Sequence, residues 1–371
     1  MKSRIRKIIT VILEVFGMVL LYAMLDTQGM IKYIVSLMLV LFILVLNYKN
    51  VLVVKEDGVL ILPILIYCIL GIVMSMCGGT KTLWTIKNVL FVLFPPIVSY
   101  VLCLRYGNKR RHMVNISFCG SVIAYLYCNR FYFLTKGYCE STFAFVFGLF
   151  ILYYLWNKHW EKVGIAAVCM HLANKRIAVL AVIACIVLML VMKLLKYKKK
   201  WIYVFWIMLI ATAGIYVYSI YSGVFENLCI RLGVDTSHRL EVYPVVVEHI
   251  PKNYFWGQGL GTTNEILVKN LETWLVAWFE NPHNDFLKMF VDLGSIGFVL
   301  VFGSYLFVFY IVQKKSVTDK ALSQLFVTFV YFMLLMTTDN VSIYILFLIP
   351  MYSICLSLME EKEESNENHA K

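Results

Sequence analysis

The sequence has little charge for its length. Only 15% of its 371 residues are Asp, Glu, Lys or Arg, whereas 61% are hydrophobic, and an average soluble domain has about 25% charged residues. This balance excludes an ordinary soluble domain, because apolar runs of about 17–25 residues, long enough to cross a bilayer, recur along the chain. We therefore expect an all-α polytopic membrane protein.

Several signatures of metal and cofactor chemistry are also absent from the sequence. The ten cysteines form no Cys-x-x-Cys pair and show no zinc-like spacing with His. No Asp-x-Asp pair is present to hold a metal against a diphosphate. The glycine series Gly257-x-Gly259-x-Gly261 neither follows a strand nor opens a βαβ unit, so it predicts tight turns and close packing instead of nucleotide binding. We expect no cofactor and no metal.

The apolar runs predict about twelve transmembrane helices. These lie near residues 8–25, 31–47, 59–77, 86–104, 113–128, 142–156, 163–173, 177–193, 201–219, 286–312, 321–337 and 341–358. The run at 163–173 is too short to cross a bilayer alone, and that at 142–156 is marginal. The first run has no small-residue cleavage site after it, so we expect it to be a retained helix.

Basic residues are unevenly distributed between alternate short loops. Twenty lie on one side, namely Lys2, Arg4, Arg6, Lys7, Lys49, Lys55, Arg105, Lys109, Arg110, Arg111, Lys158, Lys162, Lys193, Lys196, Lys198, Lys199, Lys200, Lys314, Lys315 and Lys320. Five lie on the other, namely Lys81, Arg130, Lys136, Lys175 and Arg176. This bias predicts that both termini are cytoplasmic. Since the positive charge follows topology, it gives no basic patch for nucleic acid.

The predicted domain organisation is one helical membrane domain, 1–371, with one large extracytoplasmic loop at 221–284 between the ninth and tenth spans. Within this loop, apolar residues recur at helical spacing, at Leu267, Leu271, Trp274, Leu275 and Trp278. Such a helix would either lie flat at the membrane interface or cap the bundle. A membrane protein that keeps His, Arg and Glu in one external loop is expected to use them on a polar substrate.

His283 is the first candidate for chemistry. It follows Pro282 at the start of the tenth span, where Asn284 and Asp285 can cap or orient the helix. An imidazole that titrates near neutrality suits a general base, although the same residue can serve only in the helix cap.

Arginines and lysines near the external surface are candidates for anion binding. Arg239 and Arg231 lie in the loop, and guanidinium groups bind phosphate bidentately. Glu241 can orient Arg239 or His283. Lys175 and Arg176 interrupt an apolar stretch on the predicted external side, against the positive-inside tendency, so they either bind an anion or extend to the lipid headgroups.

Three pieces of the chain together resemble the O-antigen ligase/polymerase family, which includes the Wzy-type polysaccharide polymerases. Asn174-Lys175-Arg176 is similar to the family's Ser-Arg at the external end of a middle span. The series from Ser237-His238-Arg239-Leu240-Glu241 to Trp256-Gly257-Gln258-Gly259-Leu260-Gly261 is similar to its Gly-Arg-Leu segment and glycine turn. Pro282-His283-Asn284-Asp285-Phe286-Leu287 with Asp292-Leu293-Gly294-Ser295-Ile296-Gly297 is similar to its His-Asn-x-x-Leu and Leu-Gly-x-x-Gly signature. The resemblance covers about residues 165–312.

The resemblance implies a metal-independent, inverting glycosyltransferase in the bacterial inner or plasma membrane, with its active site external. A polyprenyl-diphosphate-linked oligosaccharide would be both donor and acceptor, in capsule, exopolysaccharide or O-antigen synthesis. His283 would accept the acceptor proton, with His238 a second candidate base, and Arg176 and Arg239 would stabilise the departing diphosphate, with Lys175 sharing that role. Asn284, Glu241 and Arg231 would support the site. The flippase and chain-length regulator of the same pathway would be partners, together with the bilayer.

Two other functions compete with polymerisation. A ligase that moves finished glycan to another acceptor would share the donor site. A composition rich in Lys, Ile and Tyr is typical of an AT-rich genome and favours capsule or exopolysaccharide polymerisation in a single-membrane bacterium. A lipid-glycan flippase is expected to bury charges at mid-membrane, whereas this sequence predicts little buried charge beyond Glu14.

Overall fold

The computed structural model describes residues 2–25, 38, 56–78, 82–106, 110–138, 140–234, 236, 239–250, 255–270, 281–314 and 317–360. This part of the chain is 85% helical and contains no strand. Its helices are α1 (Lys2–Leu25), α2 (Leu62–Gly78), α3 (Thr82–Tyr106), α4 (Arg110–Cys128), α5 (Arg130–Lys136), α6 (Phe143–Trp156), α7 (Trp160–Leu172), α8 (Arg176–Leu194), α9 (Lys199–Tyr221), α10 (Val224–Leu232), α11 (Arg239–Glu248), α12 (Thr262–Asn270), α13 (Asp285–Lys314), α14 (Asp319–Met336) and α15 (Ile345–Leu358). Short 3₁₀ helices occupy Glu56–Ile61 and Val341–Ile343.

Six of these helices are long and apolar enough to cross a membrane. The candidate spans are Ile5–Met24, Gly58–Cys77, Arg176–Leu194, Lys199–Tyr221, Asp285–Lys314 and Asp319–Met336, and shorter apolar helices cover Leu83–Phe94, Phe143–Trp156 and Ile345–Leu358. The all-helical polytopic class is therefore confirmed. The number twelve stays a prediction, as does the single domain, and the span predicted near 31–47 lies outside the described residues apart from Met38.

Two short apolar helices, α6 and α15, lie at the centre of the bundle. Nearly every side chain of α6 is buried, and all of those of α15 are. An α-helix that is apolar all round belongs inside a protein, where no lipid-facing length is required. By contrast, only 17% of the α1 span is buried, against 83% of the α14 span. The marginal run at 142–156 thus forms the buried α6, and the run at 163–173, too short to cross alone, falls in its neighbour α7.

Loops predicted to share a side of the membrane do meet in the fold. At one end of the bundle, Lys199 pairs with Asp319 at 2.9 Å and Arg110 pairs with Glu360 at 3.1 Å. Both pairs join loops predicted to be cytoplasmic. The loops predicted to be external meet at the other end. These contacts support the alternation of the spans, while the charge bias alone assigns the cytoplasmic side.

Helix α13 is broken inside the bundle at Gly294, which has φ 71° and ψ −179°. The glycine turn of the large loop lies against this break. Gln258 N donates to the carbonyl of Val291 at 3.1 Å, and Gly259 N donates to that of Asp292 at 2.9 Å. Within a membrane every backbone polar group needs an internal partner. The turn supplies partners for carbonyls at the break, so the expectation of a packing role for these glycines is confirmed.

A buried carboxylate holds the loop in this position. The side chain of Asp292 accepts hydrogen bonds from Gly261 N at 3.0 Å, Thr263 N at 3.1 Å and Thr263 Oγ1 at 2.9 Å. Gly261 directly precedes α12 and Thr263 lies in its first turn, so the carboxylate satisfies backbone donors at a helix N-terminus and complements the helix dipole. One side chain of α13 therefore fixes both the glycine turn and the helix after it.

The expectation of little buried charge in the spans is wrong for α13. Asp285, Lys288 and Asp292 are all buried, and their spacing places them on one face of the helix. Each has a partner on another element: Ser342 donates to Asp285 from its backbone N at 2.8 Å and its Oγ at 2.7 Å, and Lys288 donates to Asn88 Oδ1 at 2.7 Å. Buried charges persist only when they are paired and hydrogen-bonded.

The expected amphipathic helix of the loop is only partly described. Leu267 belongs to α12 and is fully buried against Val242, Val246, Leu287 and Val291. Residues 271–280, with the two tryptophans, lie outside the described residues. The described part of this helix therefore favours a cap over the bundle.

The close packing at the glycine turn makes a stability prediction. A Cβ on Gly259 would lie 2.5 Å from Ser75 Cα, at a φ of 109°. A Cβ on Gly303 in α13 would meet nothing within 4 Å. Gly259→Ala should therefore lower the thermal midpoint of the purified protein in detergent. Gly303→Ala should leave the midpoint unchanged or raise it, because Ala stabilises a helix by about 0.5–1 kcal/mol relative to Gly. Equal midpoints for the two variants would contradict the docking of the turn.

The topology also makes a prediction. Glu248 on α11 and Glu161 on α7 are both exposed and lie on opposite predicted sides. In a cysteine-free background, Glu248→Cys should react with a membrane-impermeant maleimide in intact cells, and Glu161→Cys only after lysis. The reverse pattern would invert the assigned orientation.

Candidate active site

The centre of the candidate site is a carboxylate between two spans. Asp339 lies in the loop between α14 and α15 and is 1% exposed. Its Oδ1 is 3.3 Å from His283 Nδ1, and its Oδ2 is 3.3 Å from Lys175 Nζ. The Tyr344 hydroxyl and the backbone N of Asn340 also donate to Oδ1. Three regions that are distant in sequence thus meet at one side chain.

The partners of Asp339 determine its ionisation. Burial alone would raise its pKa, but the hydrogen bond from His283, the charges of Lys175 and His283, and the hydrogen bond from Tyr344 together lower that pKa well below its usual range. Burial and the charge of Asp339 raise the pKa of Tyr344, so its hydroxyl stays protonated and donates. Because an ionised carboxylate only accepts hydrogen bonds, His283 Nδ1 must carry the proton in this contact.

Unusual backbone geometry positions both His283 and Lys175, two of the partners of Asp339. His283 has φ 48°, in the left-handed region that residues other than glycine seldom adopt. Asn174, directly before Lys175, has φ 46°, and Asn tolerates this region better than most residues. Strained residues of this kind persist only where the surrounding structure holds them, and they cluster at functional sites.

Asn284 anchors the start of α13, as predicted from its type. Its Oδ1 accepts a hydrogen bond from Leu287 N at 3.0 Å, which is an N-terminal cap. Its Nδ2 donates to the Tyr216 hydroxyl at 3.1 Å, and that hydroxyl donates to the carbonyl of Thr337 at 2.6 Å. Asn284 therefore ties the residue after His283 to α9 and to the loop that carries Asp339.

Arg239 lies on the same side of the bundle, at the first position of α11. Its Nη1 donates to the carbonyl of Thr236 at 3.0 Å, while its Nε is buried without a hydrogen-bond partner. The guanidinium is close enough to Tyr243 and Tyr344 to act electrostatically on their hydroxyls. Within the described ranges no carboxylate pairs with Arg239, so its charge is available to an anion.

The remaining predicted site residues differ in their placement. Lys175, not Arg176, contacts Asp339, and its ammonium is also 3.8 Å from Glu140 Oε1. Arg176, Arg231 and Glu241 are exposed on α8, α10 and α11. His238 lies outside the described residues, so its role as a second base stays a prediction.

Sequence reasoning missed Asp339 and Tyr344. Both lie in the short loop between the last two apolar runs, where Thr337, Thr338, Asp339 and Asn340 form a polar group at a predicted external end. This polar group is the feature of the sequence that could have indicated a functional residue there. Among the described residues, no three His, Cys, Asp or Glu side chains are placed to hold a metal ion.

A comparison with protein families finds one match in the chain. Residues 163–302 match the model of the O-antigen ligase family. This segment nearly coincides with residues 165–312, which carry the resemblance described from the sequence. The matched segment contains Lys175, Arg176, Arg239 and His283, while Asp339 follows it. No curated protein matches the chain significantly. The chain is therefore a multi-pass membrane protein that carries an O-antigen ligase family domain at residues 163–302.

Proposed function

We propose that the chain is a membrane glycosyltransferase that polymerises lipid-linked repeat units. The donor is an oligosaccharide on a polyprenyl diphosphate, and the acceptor is a sugar hydroxyl of a second lipid-linked unit. The product is a capsular, exopolysaccharide or O-antigen polymer at the external face of the bacterial membrane. The observation that carries this proposal is the contact between His283 and Asp339, with Lys175 and Arg239 on the same side of the bundle.

His283 is the base in this mechanism. With Nδ1 donating to Asp339, Nε2 is the basic nitrogen of the imidazole. The side chain is 31% exposed, so substrate can reach it, while Asp339 is buried behind it. Nε2 accepts the proton of the acceptor hydroxyl as its oxygen attacks the anomeric carbon. Asp339 acts through His283, by holding the ring in this tautomer and stabilising the imidazolium that forms.

Cationic side chains stabilise the leaving group. The bond between the anomeric carbon and the diphosphate breaks, and its electron pair leaves on a diphosphate oxygen. Arg239 binds this oxygen because it has a planar fork and no carboxylate partner in the described part of the chain. Lys175, already shared by Asp339 and Glu140, serves chiefly to hold Asp339. Arg176 and Arg231 are additional anion contacts at the exposed rim.

Attack by the acceptor in one step inverts the anomeric configuration. No nucleophilic side chain forms a glycosyl-enzyme intermediate in this scheme, and the diphosphate is neutralised by arginine without a metal. Asn284 supports the reaction by fixing the backbone next to His283. Glu241 and His238 keep supporting roles near Arg239.

A ligase is the second candidate, and the name of the matched family favours it. The donor site would be the same, and only the acceptor would differ. A purified protein given a single kind of lipid-linked unit distinguishes the two, because a polymerase extends it into a ladder and a ligase does not.

The buried charges of α13 do not favour a transporter. In transporters, broken helices line an aqueous cavity near the bilayer midplane. Here the break at Gly294 is filled by the glycine turn, and Asp285, Lys288 and Asp292 are bonded to Ser342, Asn88 and Thr263. These charges therefore hold elements of the fold together.

The His283–Asp339 contact makes the first functional prediction. Asp339→Asn should lower the transfer rate by about 10²–10⁴-fold, as loss of an effective general base does, because an amide can donate to Nδ1 and stabilise the wrong tautomer. His283→Ala should abolish polymer while lipid-linked units accumulate. The double variant should be no worse than His283→Ala, since the two residues act as a unit.

Asp319→Asn, at the opposite end of the bundle, is the matched control. Normal polymer from His283→Ala at equal expression would reduce His283 to a cap residue.

The second functional prediction concerns the leaving group. Arg239→Lys should restore little of the activity lost in Arg239→Ala, about 10²-fold, because an ammonium has no planar fork. Arg130→Lys, on the same predicted side, should leave the rate unchanged. Activity of the purified enzyme on lipid-diphosphate oligosaccharide should also persist in excess EDTA. Loss of activity in EDTA, restored by Mg²⁺, would overturn the arginine mechanism.

A further inference from the structure

An apolar crevice lies beside the candidate site, outside the residues used in the mechanism. It has a volume of about 120 Å³ and lies between the end of α9 and the helices α10 and α11. Its main walls are Ile220, Tyr221, Phe225, Leu240, Tyr243 and Val247. A crevice of this size and polarity suits a short branched hydrocarbon and offers few hydrogen bonds to a sugar.

The crevice adjoins an exposed apolar surface. Helix α10 directly follows the α9 span, and exposed apolar side chains cover both: Tyr218 is 68% exposed, Val224 59% and Leu232 68%. Cys229, on the same short helix, is buried. A short helix with one apolar exposed face, next to a span, lies at the membrane interface. The mouth of the crevice is therefore at the depth of the lipid headgroups.

The inner side of the crevice adjoins the groups proposed to act on the diphosphate. Arg239 precedes Leu240, a wall residue, and its buried Nε lacks a hydrogen-bond partner. Tyr243 forms another wall, and its hydroxyl lies near that of Tyr216, which accepts a hydrogen bond from Asn284, the neighbour of His283. A hydrocarbon in the crevice and an anion at Arg239 would thus be neighbours, as in an amphiphile with a charged head.

We propose that this crevice holds the isoprene units next to the diphosphate of the donor lipid, with the diphosphate at Arg239. This inference rests on the proposed function and identifies where its lipid substrate enters. Glu226 is the one carboxylate among the wall residues, and because a carboxylate repels phosphate it favours placement of the diphosphate on the Arg239 side. The crevice therefore sets the direction in which the donor lies.

The crevice contributes position more than affinity. A tail that leaves the bilayer for an apolar protein surface gains little hydrophobic free energy, because lipid is as apolar as the crevice. Branched methyl groups can be distinguished by shape, and the diphosphate supplies the charge. A lipid without the diphosphate is accordingly expected to show no preference for the crevice.

Photo-crosslinking tests this placement without requiring glycosyl transfer. The probe is a polyprenyl diphosphate with a diazirine on the isoprene unit next to the diphosphate, and its control is the same tail ending in an alcohol. The diphosphate probe should label peptides that contain residues 220–226 and 240–247 of the full-length protein. Labelling should fall by about tenfold, the effect of losing one well-placed contact, with the alcohol or with Arg239→Ala. Equal labelling by both probes, or labelling by the diphosphate probe elsewhere, would overturn the proposal.

A filled crevice gives an independent readout. Leu240→Trp should raise the KM for lipid-linked donor by about tenfold and change kcat little, because it blocks one apolar subsite. Leu228→Trp, on the exposed face of α10, is the matched control and should behave as wild type. If the probe labels the crevice but the protein transfers no glycan, the proposed function is contradicted and this inference is not. If the protein transfers glycan but the probe labels it elsewhere, this inference is contradicted and the proposed function is not.

Discussion

A helix that breaks inside a membrane exposes backbone carbonyl and amide groups that water cannot reach, and the protein must supply their partners. In this chain the break is at Gly294, and the partners come from the glycine turn of the large loop. Asp292 fastens the same loop through three further hydrogen bonds. Much of the architecture at the predicted external end depends on this docking, because it places α11 and α12 against α9 and α13 and brings Arg239 to the side of the bundle that carries His283.

Electrostatics completes the site that this docking assembles. Asp339 is nearly inaccessible, yet its partners keep it ionised, and it in turn orients His283 and holds Lys175. Arg239 has no such carboxylate within the described residues. The two cations therefore differ in kind: one is neutralised within the protein, and the other retains charge for an anion. A site with this division of roles is suited to a reaction in which one group takes a proton and another stabilises a departing negative charge.

The extent to which the sequence predicted this structure depends on the range of each interaction. Local patterns predicted the spans, the cap by Asn284 and the packing role of the glycines, because these depend on residue type and near neighbours. The sequence also placed His283, Lys175 and Arg239 on one side of the membrane. It did not identify Asp339, since the contact between residues 283 and 339 is tertiary and neither segment predicts the other. The buried charges of α13 were missed for the same reason, because Asp292 and Lys288 are stable only with partners on other elements. Lys175 contacts Asp339 and directly follows Asn174, whose backbone is left-handed. A left-handed residue leaves no trace in the hydrophobic periodicity, so the sequence did not distinguish Lys175 from Arg176 at this contact.

The central claim is a single displacement in which His283, oriented by Asp339, activates the acceptor while the diphosphate departs. The most direct measurement is the anomeric configuration of the linkage formed by the purified protein, determined by NMR on product made from a lipid-diphosphate donor of known configuration. The account predicts that the new linkage has the configuration opposite to that of the donor. Retention of configuration would require two displacements and a covalent glycosyl-enzyme, and would contradict it.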